Sequence, residues 1–164
     1  MIYDFTADDV FEMPEKLERN GAQFYRKAAQ NIDNPEYKKL LVGLSEMEVE
    51  HEKTFINLRS ELSVNAKAST AFDPQNESAL YLRALADNKV FFEKEIDFSS
   101  MKSVLKAAIL AEKDSIVFYL GMKELVPEKY GKGKLDKIIK EEMGHIKLLS
   151  KELVAQRMNN DLVS

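Results

Sequence analysis

Two eight-residue segments of the chain share one frame, ERNGAQFY at 18–25 and EKDSIVFY at 112–119. Each is followed by a Glu-x-x-His motif that starts 30 residues after the first glutamate: EVEH at 48–51 and EMGH at 142–145. Corresponding positions in the two sets lie 94 residues apart. Repetition at a fixed offset is a stronger signal than any single motif, so we predict an internal duplication.

Around these segments the chain has the pattern of long helices. It contains only 6 Gly and 4 Pro in 164 residues, and apolar residues recur at three- and four-residue spacing. The predicted first helix runs from about 7 to 30, with Pro14 either kinking it or moving its start to about Met13. The other predicted long helices are about 35–62, about 100–126 and one that carries Leu135 to Leu153 before a frayed tail at 159–164.

A crossover at 63–99 separates the second helix from the third. Residues 63–72 are mostly small and polar, and Asp73-Pro74 predicts the start of a shorter helix that ends near Phe92. Four long helices with one long crossover between the second and third are typical of a ferritin-like bundle. We therefore predict an all-α, ferritin-like single domain over 1–164, with similar halves at about 7–62 and 100–156.

The composition excludes several classes of function. The chain has 24 Lys+Arg against 28 Asp+Glu, a net charge of −4, which gives no electrostatic case for binding nucleic acid. With no cysteine, it cannot form disulfides, use a thiol nucleophile or bind metal through thiolate. We find neither a secretory signal nor an apolar run of about 20 residues, so we expect a cytoplasmic protein without a membrane span.

Each predicted long helix has one carboxylate in its apolar stripe: Glu18, Glu48, Glu112 or Glu142. A buried carboxylate without a partner is costly, so such a group shifts its pKa, finds a cation or stays exposed. One misplaced glutamate is usually an exposed edge position. Four of them, one in each helix, indicate a common cause.

The two histidines of the chain point to metal binding, because both occur in Glu-x-x-His motifs whose first and last residues share a helix face. Four glutamates and two histidines are the ligand inventory of a di-iron or di-manganese site in a helix bundle. Their charges balance two divalent cations, and oxygen with imidazole suits Fe or Mn. The predicted ligands are Glu18, Glu48, His51, Glu112, Glu142 and His145. We expect Glu48 and Glu142 to bridge the two metals, and the other two glutamates to be terminal.

Other polar and sulfur-containing side chains have simpler predicted roles. Tyr25 and Tyr119 either donate a hydrogen bond to a ligand on a neighbouring helix or pack in the core. Nearby acidic residues are predicted to form a solvated face: Glu46, Glu50, Glu52, Glu95, Glu141 and Glu152. Three methionines are predicted to fill the core: Met47, Met122 and Met143.

Over nearly its whole length the chain resembles the rubrerythrin and erythrin branch of the ferritin-like proteins. The resemblance is carried by the two Phe-Tyr pairs, the two Glu-x-x-His motifs, Glu18 and Glu112. It implies two irons held between the helices, with hydrogen peroxide or O2 as the substrate. It also implies a homodimer. In some family members the two chains of the dimer exchange helix pairs.

The chain departs from rubrerythrin at two points. It lacks the cysteines of a rubredoxin domain, so electrons would have to come from a separate, rubredoxin-like donor protein. Ser115 also stands where rubrerythrin has an additional glutamate one turn after its third-helix ligand. The predicted site is therefore more symmetric and nearer to the bacterioferritin ligand set, which favours ferroxidase or iron-handling roles over rubrerythrin-type peroxidase activity.

Three alternatives to a di-iron oxidoreductase remain open from the sequence. The first is a non-catalytic protein of iron binding, storage or delivery. The second is a bundle in which the metals only stabilise the fold. The third is manganese catalase chemistry, because ligand type does not separate Fe from Mn.

Overall fold

Four long helices make up most of the part of the chain that the structure describes. The computed structural model of the chain describes residues 7–62, 81, 82, 84, 85 and 95–161. The long helices are α1 (Ala7–Asn31), α2 (Pro35–Ser60), α3 (Met101–Leu125) and α4 (Lys132–Asp161), with a short 3₁₀ helix at Glu128–Tyr130 before α4. Across the described residues there is no strand, and the helices form a ferritin-like bundle, as predicted.

The helix starts follow the local sequence. Asn34 caps α2, and its side chain accepts hydrogen bonds from the backbone N–H groups of Glu36 and Tyr37. Ser100 caps α3 by accepting from the Ser103 N–H. Before α4, Gly131 has a φ of 108°, and an added Cβ there would lie 2.4 Å from Leu58. Both the backbone conformation and the space therefore require glycine at this turn.

Two predicted helix ends differ from the structure. The helix α1 includes Pro14 and begins at Ala7, so the start at Met13 that we considered is wrong. Burial of Val10 and Phe11 in the core holds this first part of the helix in place. The tail predicted from residue 159 is also wrong in part, because α4 continues to Asp161. No glycine or proline interrupts its last turns.

The helices pack as two hairpins, α1 along α2 and α3 along α4. In the first hairpin, Arg59 near the end of α2 forms a bidentate ion pair with Asp8 at 2.7 and 2.8 Å and also reaches Glu15 at 3.3 Å. In the second hairpin, Lys123 pairs with Asp136. Each contact joins the end of one helix to the start of the other helix in the same hairpin.

Among the described residues, the apolar core consists of two clusters along the bundle. The cluster toward the start of α1 includes Phe11, Phe55 and Met122, and the other includes Leu41 and Leu105. On each long helix, a short polar segment lies between the residues of the two clusters. This arrangement leaves the middle of the bundle for the buried polar side chains described below.

Most of the predicted crossover lies outside the described residues. Residues 81, 82, 84 and 85 are helical, and Leu82 is buried in the first core cluster. The predicted helix from Asp73 to Phe92 and the single-domain prediction both stay predictions. No described helix has the length and apolar character needed to cross a membrane.

Candidate metal centre

Four buried carboxylates meet in the middle of the bundle. Glu18, Glu48, Glu112 and Glu142 come from α1, α2, α3 and α4, and each is at most 5% exposed. The two buried histidines lie one turn after the glutamates of α2 and α4. Ligand atoms lie within 4.8 Å of one another in two groups: Glu18, Glu48, His51, Glu142; and Glu48, Glu112, Glu142, His145. The structure thus brings all six predicted ligand residues together.

Glu142 lies between the two histidines. The Nδ1 atom of His51 is 3.0 Å from Glu142 and 3.5 Å from Glu18. The Nδ1 atom of His145 is 2.8 Å from Glu142, 3.4 Å from Glu112 and 3.6 Å from Glu48. Both histidines therefore turn the same ring nitrogen toward the carboxylates.

Many of these buried atoms have no hydrogen-bond partner, although they lie close together. They are Glu18 Oε2, Glu48 Oε1, both oxygens of Glu142, and the Nδ1 atoms of His51 and His145. An unsatisfied buried polar atom costs about 1–3 kcal/mol, and native proteins leave few of them. Six such atoms in one buried cluster fit the binding of cations, because carboxylate oxygen and imidazole nitrogen are ligands of Fe and Mn.

The carboxylates also lack ordinary counter-ions. Glu15, another buried glutamate, is paired with Arg59. Among the described residues, no Lys or Arg side chain pairs with the four glutamates of the site. Burial, followed by the charges of Glu18 and Glu142, raises the pKa of Glu48 well above its ordinary value. Burial also raises the pKa of Glu112 to about 8.

The pKa values of the two histidines shift upward, which is opposite to the shift that burial alone would cause. Burial lowers the pKa of His51, but the adjacent carboxylates of Glu142 and Glu18 outweigh it and raise the pKa to about 11. In the same way, Glu112 and Glu142 raise the pKa of His145 to about 9. Burial raises the pKa of Glu142, but the two histidines outweigh it and hold that pKa well below the ordinary range. Without a metal, protons on the histidines and on some of the carboxyl groups offset the charge.

Each tyrosine of the repeated frame reaches across the bundle. The Tyr25 hydroxyl donates a hydrogen bond to Glu112 Oε1, and the Tyr119 hydroxyl donates one to Glu18 Oε1. Burial raises the pKa of both hydroxyls well above its ordinary value, which keeps them protonated as donors. They therefore fix Oε1 of each carboxylate. In Glu18 the other oxygen, Oε2, faces His51, whereas in Glu112 the oxygen 3.4 Å from His145 is Oε1 itself.

Two residues that contact the outer nitrogens of the histidines were missed from the sequence. Glu141, predicted to be solvated, has a side chain 33% exposed, and its Oε2 lies 2.9 Å from His51 Nε2. The Met47 Sδ atom lies 3.3 Å from His145 Nε2. Met47 and Glu141 are themselves 94 residues apart, so the offset of the repeat could have identified them.

The methionine predictions are confirmed only in part. Met122 is fully buried, as predicted. Met47 is 39% exposed and Met143 is 51% exposed, so their assignment to the core is wrong. Helical periodicity did not distinguish the core face from the neighbouring outer face at these two positions.

A surface cavity of about 550 Å³ between α2 and α4 leads to one side of the centre. Its lining includes His51 together with Glu46, Glu50, Met47 and Glu141. Lys134 and Lys137 also line the cavity, so its charge is mixed. The cavity borders the centre on the side of His51.

Gly21 provides space for one ligand. It lies on α1, and a Cβ added there would be 2.7 Å from Glu48 Oε2. Real Cβ atoms do not approach an oxygen so closely, so any other residue would displace the carboxylate. The glycine of the first repeat is thus explained by its contact with Glu48.

Comparison with known proteins supports the fold. No protein-family model and no curated protein matches the chain. A solved crystal structure from Thermotoga maritima, described as that of a candidate ferritin-like diiron-carboxylate protein, matches with a TM-score of 0.64 and 26% sequence identity. The match covers 90% of this chain and 94% of that chain. It supports a place for the chain in the ferritin-like superfamily.

Proposed function

We propose that this chain is a di-iron carboxylate protein that reacts with hydrogen peroxide or O2. The observation that carries the proposal is the set of buried, unsatisfied oxygen and nitrogen atoms that converge between the four helices. The similarity to a candidate diiron-carboxylate protein gives independent support. Iron is preferred to manganese on that similarity, since the ligands suit both metals.

The grouping of the ligand atoms supports one distribution of roles. Glu18 and His51 would hold one metal, and Glu112 and His145 would hold the other. Glu48 and Glu142 belong to both groups, which supports their predicted bridging role. The total ligand charge of −4 would balance two divalent ions, so the buried site would be neutral when filled.

The protein side chains would prepare and protect this site. Bound iron would supply electrons for the reduction of peroxide or O2. Tyr25 and Tyr119 would orient the two terminal carboxylates, and the apolar clusters on both sides would exclude bulk water. With no cysteine in the chain, a separate donor protein of the rubredoxin type would return the electrons.

The remaining details of the proposal rest on the resemblance to the rubrerythrin and erythrin branch. We propose a cytoplasmic homodimer that consumes peroxide or O2 under oxidative stress. Ser115 lies half-buried beside the site and supplies no additional carboxylate, which favours a ferroxidase-like reaction over a rubrerythrin-type peroxidase reaction.

Rapid mixing tests the function directly. Protein loaded anaerobically with two Fe(II) per chain should change its near-ultraviolet absorbance on mixing with either peroxide or O2, and should be reduced again by a chemical donor. Glu48→Gln serves as the ligand variant and Glu46→Gln as the matched exposed control. Inertness of the loaded protein to both oxidants would overturn the catalytic proposal and favour iron storage or delivery.

A further inference from the structure

The two halves of the centre share several contacts on the inner side of the histidines, although His145 Nδ1 also approaches Glu48, at 3.6 Å. The two rings stack with centroids 5.9 Å apart, and their exposed fractions are 3% and 4%. Each Nδ1 lies 2.8–3.0 Å from Glu142. Each terminal glutamate also accepts a hydrogen bond from one tyrosine.

The outer nitrogens of the histidines have different partners. Glu141 on α4 faces Nε2 of His51 on α2, and Met47 on α2 faces Nε2 of His145 on α4. The two contacts correspond under the 94-residue offset, but one partner is a carboxylate and the other a thioether. The duplicated frame is therefore broken at this pair of positions.

A carboxylate and a thioether affect a histidine ligand differently. A carboxylate accepts the Nε2–H, fixes the tautomer that leaves the Nδ1 lone pair free for metal, and increases the basicity of the ring. A thioether is only a weak acceptor. Loss of such an outer carboxylate typically costs about 10–100-fold in metal affinity.

We infer that the two metal positions are unequal, and that a divalent cation fills the position at Glu18 and His51 before the position at Glu112 and His145. The inference rests on the proposed function, which supplies the two metals. Glu141 is a positioning residue in this account, since it acts on the metal only through His51.

Both outer residues are suitable for exchange experiments. Glu141 and Met47 are 33% and 39% exposed, and both line the surface cavity between α2 and α4. Substitution at either position therefore changes the contact to a histidine Nε2 while all six ligand residues and the core clusters are retained in the sequence. The variant Glu141→Met places a thioether beside both histidines. The double variant Met47→Glu/Glu141→Met exchanges the two partners, so that His145 has the carboxylate and His51 the thioether.

The test uses Mn(II) as the probe on the full chain freed of metal. Repulsion between two cations separates stepwise dissociation constants even in a symmetric site. The decisive readout is therefore which position fills at one equivalent, measured from anomalous scattering of Mn in crystals. We expect at least a tenfold preference for the His51 position in the wild type, near-equal filling in Glu141→Met and reversed filling in the double variant.

Glu46→Gln is the matched control, because it removes a carboxylate from the same cavity without a described contact to either histidine. It should retain the wild-type preference. Equal filling in the wild type, or an unchanged preference in Glu141→Met, would overturn the inference while leaving the di-metal function intact. A wild-type chain that binds no Mn(II) or Fe(II) in the bundle would instead overturn the proposed function itself.

Discussion

The hydroxyl of Tyr119 on α3 donates a hydrogen bond to Glu18 on α1, and its counterpart, Tyr25, makes the same contact in the reverse direction to Glu112. Each hairpin therefore orients a carboxylate of the other hairpin. This reciprocity joins the two repeats at the centre, and it explains why the Phe-Tyr pair recurs two turns after each glutamate.

We predict that Tyr119→Phe destabilises the metal-free protein by about 1–3 kcal/mol, because Glu18 Oε1 would be buried without its donor. Tyr37→Phe is the control, since it removes a hydroxyl from a half-buried tyrosine outside the centre and should change the stability by less than about 0.5 kcal/mol. Denaturant unfolding measures both. Equal effects of the two substitutions would contradict the orienting role.

We predict opposite effects of Glu48→Gln on stability and on metal binding. Because the folded-state pKa of Glu48 lies above its ordinary value, ionisation of this group destabilises the metal-free fold as the pH rises above about 4.5. A neutral glutamine avoids that cost at pH 7, so the melting temperature without metal should be unchanged or higher. The same variant should lose the affinity for the second metal.

Thermal unfolding with and without Mn(II) separates the two effects, with the exposed Glu46→Gln as the control. If Glu48→Gln were strongly destabilised without metal while Glu46→Gln was not, a solely structural role for this carboxylate would follow.

We predict that metal binding becomes tighter as the pH rises from 6 to 8. Metal must displace protons from His51, His145 and Glu112, whose pKa values of about 11, 9 and 8 keep them protonated at neutral pH. The affinity should rise by about tenfold per pH unit for each proton released. Calorimetric titration with Mn(II) in buffers of different ionisation enthalpy measures the released protons. A pH-independent affinity without proton release would contradict this account.

We predict that Gly21→Ala weakens metal binding, because its Cβ would displace Glu48 Oε2. Gly43→Ala is the matched control: it lies in α2, and an added Cβ there has no neighbour within 4 Å. Alanine should stabilise a helix at Gly43 by about 0.5–1 kcal/mol without affecting metal. A Gly21→Ala variant that bound two metals as tightly as Gly43→Ala would contradict this prediction, because Glu48 could then move without loss of metal affinity.

The sequence predicted most of the fold and the inner part of the centre for identifiable reasons. The positions of the four helices follow from helical periodicity and from strong caps such as Asn34 and Ser100. The six converging residues were found because a carboxylate in an apolar stripe conflicts with burial, and because the conflict recurs at a constant offset. Both signals are local or repeated, so they are visible in one sequence.

The outer contacts were not predicted, because they depend on how α2 faces α4. Glu141 has several charged neighbours in the sequence, and this pattern alone favours a solvent-exposed position. Met47 is apolar, and only the structure places it over His145 at the surface. The start of α1 before Pro14 likewise depends on tertiary packing of Phe11, which outweighs the local preference of proline.

The most direct test of the central claim is the metal content of the chain, measured together with the positions of the metals. Protein purified without added metal and then loaded anaerobically with Fe(II) should contain two irons per chain. Anomalous scattering should place both between the four helices, with Glu48 and Glu142 shared and each Nδ1 on one iron. Fewer than two irons, or irons found only at exposed carboxylates, would contradict the account.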